Sequence, residues 1–338
     1  VSAPRAALDD LGALEDLRAA VAAADVVIPV GARTQWGVGG SPASGLEVMA
    51  PSGAIRHEPG DLTVSVGAGT PVAELDGVVG GAGQECPLDP RDPAATVGGV
   101  LACGLSGLRR LRFGPVRDRV LQVHFVTADG RVVQGGGPTV KNVSGFDIPR
   151  LLVGSLGTLG VLARVVLRCT PRPRAAVWGG AEGGPEAVRA RLFRPSCVAW
   201  DGEVVRCLAE GDPDDVEAEL AAGGLVPGDA PVLPEGSHRG RIAVPPGRVE
   251  GLGAALSGVD GVRWLAEVGV GTVHVAADGP GPMAEARRLA HERAGWLLRE
   301  AGDGFDGFGR DVANTALMAR VKRALDPTGK LNPGRLPW

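Results

Sequence analysis

The chain has 338 residues, a net charge of −4 and 44% hydrophobic residues. That length leaves room for two domains or one large one with an ample core, and the hydrophobic share is too high for a disordered chain. The mild acidity gives nucleic acid no electrostatic footprint, so any basic patch is local; the 54 glycines are about twice the usual share of about 7% and follow no collagen period.

Residues 7–24 read as a helix, with Leu8, Leu11, Leu14, Leu17 and Val21 on one face. Val26 to Val30 reads as a short buried strand that runs into the loop Gly31 to Gly40. Strands are expected near 46–49 and 63–66, and Pro71 to Val79 reads as a short helix with proline in its first turn. Asp89 to Gly114 reads as a long glycine-rich surface ending in Arg109, Arg110, Arg112 and Arg117. A strand at 120–127 turns at Ala128 to Arg131 and continues as a hairpin through Val132 and Val133. Leu151 to Val153 reads as a helical turn, and Val161 to Cys169 as a strand that alternates. The pair Pro171 and Pro173 marks a boundary. Beyond it, helices are expected at 185–193, 213–222, 247–256 and 281–301, with strands near 203–208, 240–244 and 271–277. That alternation points to a second α+β domain. Asn314 to Arg323 reads as the last helix before the tail.

Several classes of chemistry are set aside. Cys86, Cys103, Cys169, Cys197 and Cys207 form no CxxC pair, so neither zinc nor an iron–sulfur cluster is indicated, and no metal site is expected. A scattered, odd set fits a reducing cytosol. The opening VSAPRAALDD has no signal-peptide layout, and no uncharged apolar run approaches the roughly 18 residues of a membrane span. The chain is therefore expected to be cytoplasmic. Gly67, Gly69 and Val72 miss the third glycine of a dinucleotide fingerprint, and there is no GxxxxGK[ST] loop. The five histidines are dispersed; His274 sits on a strand that faces either a pocket or the core.

Three glycine loops remain. The first, Pro29 to Gly40, follows a buried strand, and successive backbone amides in such a loop form a concave nest for phosphate oxygens. The second combines Thr96, Gly98 and Gly99 with Ser106 and Gly107, where the absence of side chains lets backbone lie against a ring or a pyrophosphate. The third is Gly154 to Gly160, where packing of backbone on backbone competes with ligand contact.

Taken in order, PxGxxT, VGAGT, PLDP, TVGG, RxxRxRFG, KNVSGFD and GSLGTLG resemble the FAD-binding fold of the vanillyl-alcohol oxidase and p-cresol methylhydroxylase type. KNVSGFD (141–147) and the ending Asp326-Pro327 to Asn332-Pro333-Gly334-Arg335 are similar to the FAD-binding E-type subunits of bacterial glycolate oxidases. The resemblance covers roughly 20–172 and 318–338 and implies an α+β architecture. It consists of a PCMH-type FAD-binding domain of two α+β subdomains (1–172), a smaller α+β cap (173–317), and a C-terminal helix and tail (318–338) returning to the FAD domain.

The resemblance also implies a cofactor set. Pro29 and Gly31, Ala32, Arg33, Thr34 and Gln35 would hold the pyrophosphate. Pro87, Leu88, Thr96, Gly98, Gly99, Ala102, Ser106 and Gly107 would line pyrophosphate and flavin. Arg112, Gly114 and Asp118 would follow toward the ring, with Arg112 nearest the cofactor and Arg109 and Arg110 facing solvent or a partner. Val161, after Gly160, would offer backbone hydrogen bonds to the adenine or ribose side, Gly154 and Gly157 would also meet the cofactor, and Asn332 would approach the isoalloxazine from the tail. Many relatives carry a second glycine where Ala32 and Arg33 stand, so Arg33 either meets the phosphate or widens the loop. That loop has no histidine for covalent attachment, which points to non-covalent FAD.

By the same resemblance the chain would be an FAD oxidoreductase subunit for a small 2-hydroxy acid of the glycolate or D-lactate class. It would sit beside a larger FAD subunit and an iron–sulfur subunit, peripheral at the inner membrane through a partner. The catalytic residues stay open, because the cap offers only scattered Arg172, Arg174, Arg206, Arg239, Arg241 and Arg263 and no histidine cluster. An assembly subunit with little turnover of its own, or a stand-alone flavin oxidase of an alcohol or sugar, are the alternatives.

Overall fold

The computed structural model describes residues 11–138, 146–309 and 312–337. The KNVSGFD segment, apart from Phe146 and Asp147, lies outside them.

Two antiparallel sheets carry the architecture. The first has five strands in the order Arg56–Glu58, Thr63–Gly67, Val161–Arg168, Val120–Val126 and Val132–Gly136. Its central strand, Val161–Arg168, is buried at every position but the last. The alternation expected there is absent because both faces of the sheet are covered. Leu162, Val165 and Leu167 join a core with Val72, Leu75 and Leu101. Val161 and Ala163 meet Leu14, Leu17 and Val21 of the first helix, Leu11–Ala23. A register shift between His124 and Phe125 lets the strand serve both cores without strict parity.

The second sheet has eight strands, in the order Val226–Pro227, Ala175–Ala181, Val205–Gly211, Cys197–Trp200, Arg263–Glu267, Thr272–Ala277, His238–Ala243 and Trp296–Ala301. Five of these are not expected from the sequence: 175–181, 197–200, 226–227, 263–267 and 296–301. The helix expected over 281–301 ends at His291 and gives way to an edge strand. Ala294 at φ 56° and Gly295 make the turn. Helices Pro213–Gly223, Val249–Ser257 and Pro280–His291 pack against this sheet. Their apolar residues, among them Leu252, Leu256, Met283 and Ala286, bury one face with Trp200, Ile242 and Trp264. The opposite face turns toward the first sheet and bounds the functional cleft.

A parallel pair, Val27–Val30 with Leu46–Met49, sits beside the first helix. The C-terminal tail returns along Val27: Val27 N donates to Lys330 O at 2.8 Å and Asn332 N to Val27 O at 2.8 Å. Lys330 Nζ then reaches the carbonyls of Val21 at 2.6 Å and Ala24 at 3.1 Å, closing the C-terminal end of the first helix with a cation. Among the described residues, no helix is long and apolar enough to cross a membrane.

Candidate functional site

A continuous cleft runs from the parallel strand pair to the open face of the eight-stranded sheet. It has three parts that share lining residues. The inner part, about 70 Å³, is lined by Pro29, Gly31, Ala68, Gly69, Gly98, Ser155 and Val161 among others. The middle part, also about 70 Å³, adds Ala32 to Trp36, Cys103, Leu156, Asn332 and Arg335. Pro29, Gly31, Thr96, Gly99, Ala102 and Gly157 belong to both. Thr34 and Gln35 then lead into a chamber of about 950 Å³ between the two sheets.

Backbone lines the inner and middle parts. Thr96 ends an extended stretch and caps the helix Val97–Cys103, its Oγ1 accepting from Gly99 N at 3.2 Å. The sequence reading took this segment for loop; the cap and the buried Val97, Val100 and Leu101 make it helical. A Cβ on Gly31 would stand 2.4 Å from Thr96 Oγ1, so the first loop lies directly on this cap. Gly98 is as close: its Cβ would stand 2.8 Å from Ala68 O. That contact brings the set-aside VGAGT turn into the cleft wall. The amides from Gly31 through Gln35 have no acceptor among the described residues.

Two buried acceptors in the middle part also lack partners, Gln35 Oε1 and Asn332 Oδ1. Asn332 is 3% exposed, and its Nδ2 donates to Leu156 O at 2.6 Å, which turns Oδ1 the other way. Arg335 supplies a buried charge. Its Nη1 donates to the carbonyls of Trp36, Val38 and Gly40 at 2.7, 3.1 and 2.9 Å. Burial pulls its pKa down. Of the eight non-glycine residues with positive φ among the described residues, Arg33, Asp89, Leu156 and Asn332 line the cleft. Such backbone persists only where its surroundings over-determine it, and it concentrates at ligand sites.

The chamber is different. Its wall on the first-sheet side comes from Asp89 to Pro93 and Leu105 to Arg109, and its other wall from strand residues of the eight-stranded sheet. Period-two geometry sends Trp178, Leu208, Glu210, Arg239, Arg241, His274 and Glu300 to this face. Arg241 Nε donates to Glu300 Oε1 at 2.9 Å and Nη1 to Ser106 O at 2.7 Å, tying the sheet to the loop opposite. Burial would raise the Glu300 pKa, but Arg241, His274 and Arg91 together hold it below the usual carboxylate range. Arg91 bridges the walls from the other side, donating to Pro234 O at 2.6 Å and Glu235 Oε1 at 2.7 Å.

The expected cofactor residues separate into two groups. Pro29, Gly31, Ala32, Arg33, Thr34, Gln35, Thr96, Gly98, Gly99, Ala102, Gly157, Gly160, Val161 and Asn332 line the inner and middle parts, and Ser106 and Gly107 line the chamber. Pro87, Leu88, Arg112, Gly114, Asp118 and Gly154 are not among the lining residues. Pro87 and Leu88 are buried, Leu88 in the first core. Arg112 is turned away, with Nη1 on Glu210 O at 2.6 Å and Ser196 Oγ at 3.2 Å. Asp118 accepts from Arg150 at 2.6 Å.

The arginine nearest the cleft in this segment is instead Arg109, and it is already engaged by Glu85 at 2.7 Å, Asp89 at 2.7 Å and Glu210 at 3.2 Å. Burial, which would lower its pKa, is outweighed by Asp89 and Glu85, so it stays charged and locked. Neither arginine is a free anion ligand. Arg33 pairs with Glu47 and stacks 4.5 Å over Trp36. Trp36, Ser155, Leu156 and Arg335 fall in segments that the sequence marks but are not assigned to the site there, Arg239 and Arg241 stand there only as scattered cap arginines, and Glu300 is not singled out. For Arg239 and Arg241 the signal was present, since alternate residues of one strand share a face. Among the described residues, no three His, Cys, Asp or Glu side chains converge to hold a metal.

The model of the FAD binding domain family matches residues 11–136. The glycolate oxidase subunit GlcE of Escherichia coli (strain K12) is 32% identical over 330 residues, covering 88% of this chain and 89% of its own. The D-lactate dehydrogenase of Archaeoglobus fulgidus is 42% identical over 108 residues, 32% of this chain but 24% of that enzyme. A solved structure of alkyldihydroxyacetonephosphate synthase superposes with a TM-score of 0.67 at 14% identity, covering 94% of this chain and 75% of its own; that likeness speaks to the fold, which is the PCMH-type FAD-binding fold. The cleft fits FAD on its own terms. Unpaired amides at 31–35 suit a pyrophosphate, the orphaned Asn332 Oδ1 suits a donor on a ring, and the glycine-lined walls leave room for flat groups. By similarity over nearly its whole length, the chain belongs to the FAD-binding oxidoreductase family that contains the glycolate oxidase subunit GlcE.

Proposed function

We propose that this chain is the FAD-bearing subunit of an oxidoreductase acting on a small 2-hydroxy acid of the glycolate or D-lactate class. Bound FAD supplies the hydride acceptor. In this reading residues 1–172 with 318–338 hold the cofactor and 173–317 form the cap. The loop 31–35, Thr96, Gly98, Gly99 and Asn332 contact FAD without a covalent bond. The Cys103 thiol beside the cleft is pushed up to about 12 by burial, which keeps it protonated and a poor nucleophile.

The observation that carries the substrate class is the pair Arg239 and Arg241, which share one strand face in the chamber at the end of the glycine-lined cleft. Arg241 spends Nε on Glu300 and Nη1 on Ser106, and its Nη2 has no partner among the described residues. Arg239 is held through Nη1 by Glu235 at 3.2 Å, and its Nε is unpaired. Two guanidiniums with open donors on one face suit a substrate carboxylate. Trp178, Leu208 and Leu233 line the same chamber and restrict water.

The name of the Escherichia coli relative calls it a subunit, which supports work in a complex; a larger FAD subunit and an iron–sulfur subunit, with attachment to the inner membrane through them, complete the proposal. The test is anaerobic addition of glycolate or D-lactate to the flavin-loaded chain. Bleaching of the flavin band is expected. A folded, flavin-loaded chain that neither acid reduces would leave it an assembly role.

A further inference from the structure

We infer that His274 is the proton acceptor of the proposed oxidation and that Glu267 is the residue positioning it. The inference rests on the 2-hydroxy-acid reading and deepens it. His274 lies in the strand Thr272–Ala277, between Arg241 on one neighbouring strand and Leu265 on the other. It is 2% exposed and lines the chamber that Arg239 and Arg241 line. Its Nε2 stands 2.8 Å from Glu267 Oε1, and Glu267 is 1% exposed.

A carboxylate only accepts, so Nε2 carries the hydrogen and, in the neutral ring, Nδ1 keeps a bare lone pair. Nδ1 has no partner among the described residues. A buried imidazole on a strand that lines the cavity, with one nitrogen held by a carboxylate and the other without a partner, is placed for proton transfer. In the step, the substrate O–H bond breaks and its proton passes to Nδ1. Bound FAD would supply the two-electron acceptor for the C–H electron pair as the carbonyl forms, so that the electrons balance, and Glu267 stabilises the imidazolium.

The charged and titratable groups around the pair are Arg241 and Glu300 on adjoining strands, Arg110 from the helix Arg110–Phe113, and Cys197. Because the base must be neutral, reduction of the enzyme should quicken with rising pH and level off.

The experiment uses the flavin-loaded chain and follows anaerobic flavin reduction by glycolate and D-lactate over about pH 5–9. His274→Gln should slow reduction by about 10²–10⁴-fold, remove the pH dependence and change substrate affinity little. Glu267→Gln should retain more activity than His274→Gln, because the amide oxygen can still accept from Nε2 and keep the ring in place.

Oxalate binding, read as a flavin absorbance change, gives a measure without turnover. Its affinity should fall as pH rises in the wild type and stay flat in His274→Gln. Variants that keep flavin content and melting temperature yet reduce like the wild type would overturn the base assignment and leave the substrate reading standing. A wild type reduced by neither acid would overturn both. If neither His274→Gln nor His274→Asn folds, oxalate binding by the wild type that is indifferent to pH overturns the assignment.

Discussion

The two ends of the cleft recognise by opposite means. At the inner end, glycines and a short capped helix present backbone amides, and the side chains that matter, Asn332 and Arg335, arrive from the last residues of the tail. At the chamber end, one wall consists of side chains projected from strands of a separate sheet, facing the loops 89–93 and 105–109. A backbone surface is rigid and general, suited to a group shared by many enzymes. A side-chain surface on alternating strand positions changes one residue at a time, which suits a substrate.

The largest expected effect breaks the chamber end. Arg241→Ala leaves Glu300 buried without its partner, and removing one member of such a pair costs about 3–5 kcal/mol. Urea unfolding would measure it, and a loss under about 1 kcal/mol would show that the two walls do not depend on this contact.

The cradle end breaks differently. Gly31→Val drives a side chain into Thr96 Oγ1, which a Cβ alone would approach to 2.4 Å. Overpacking of about 1–3 kcal/mol would weaken FAD about tenfold to a hundredfold while the chain stays folded. Flavin content against tryptophan-monitored unfolding checks this; full flavin retention would remove the loop from the cofactor site.

Acid should act on the chamber first. Because the folded pKa of Glu300 lies below its unfolded value, its contribution is present above the unfolded pKa of about 4.3 and is lost as pH falls through the folded value. Melting temperature from neutral pH downward should hold and then drop, and Arg241→Ala should flatten the drop.

Acid precipitation should release the yellow colour into the supernatant; colour in the pellet would mean a covalent flavin. The smallest effect is expected from Arg33→Ala. The Arg33–Glu47 pair is nearly half exposed on both sides, so the loss should stay within about 1 kcal/mol, with flavin affinity little changed. A large fall in affinity would place Arg33 on the phosphates.

Much of the cradle was legible because its information is local. PxGxxT, TVGG and GSLGTLG each fix a backbone turn within a few residues, and most of the residues they named line the cleft. The arginine segment misled. Charge in sequence says nothing of counter-charge in space, and Glu85, Asp89 and Glu210 come from 20 or more residues away to occupy Arg109, while Glu210 O takes Arg112.

The sequence by itself determined the elements with strong local pattern: the first helix from its leucine spacing, the hairpin around Asp129 and Gly130, and the glycine loops. Tertiary structure decided which faces those elements show. The strand 296–301 reads as helix until a sheet edge offers it a partner, and Arg241 and His274 are unremarkable until pairing sets them side by side over a cavity. Hydrogen-bond register between strands distant in sequence makes that choice, and no short stretch of residues encodes it.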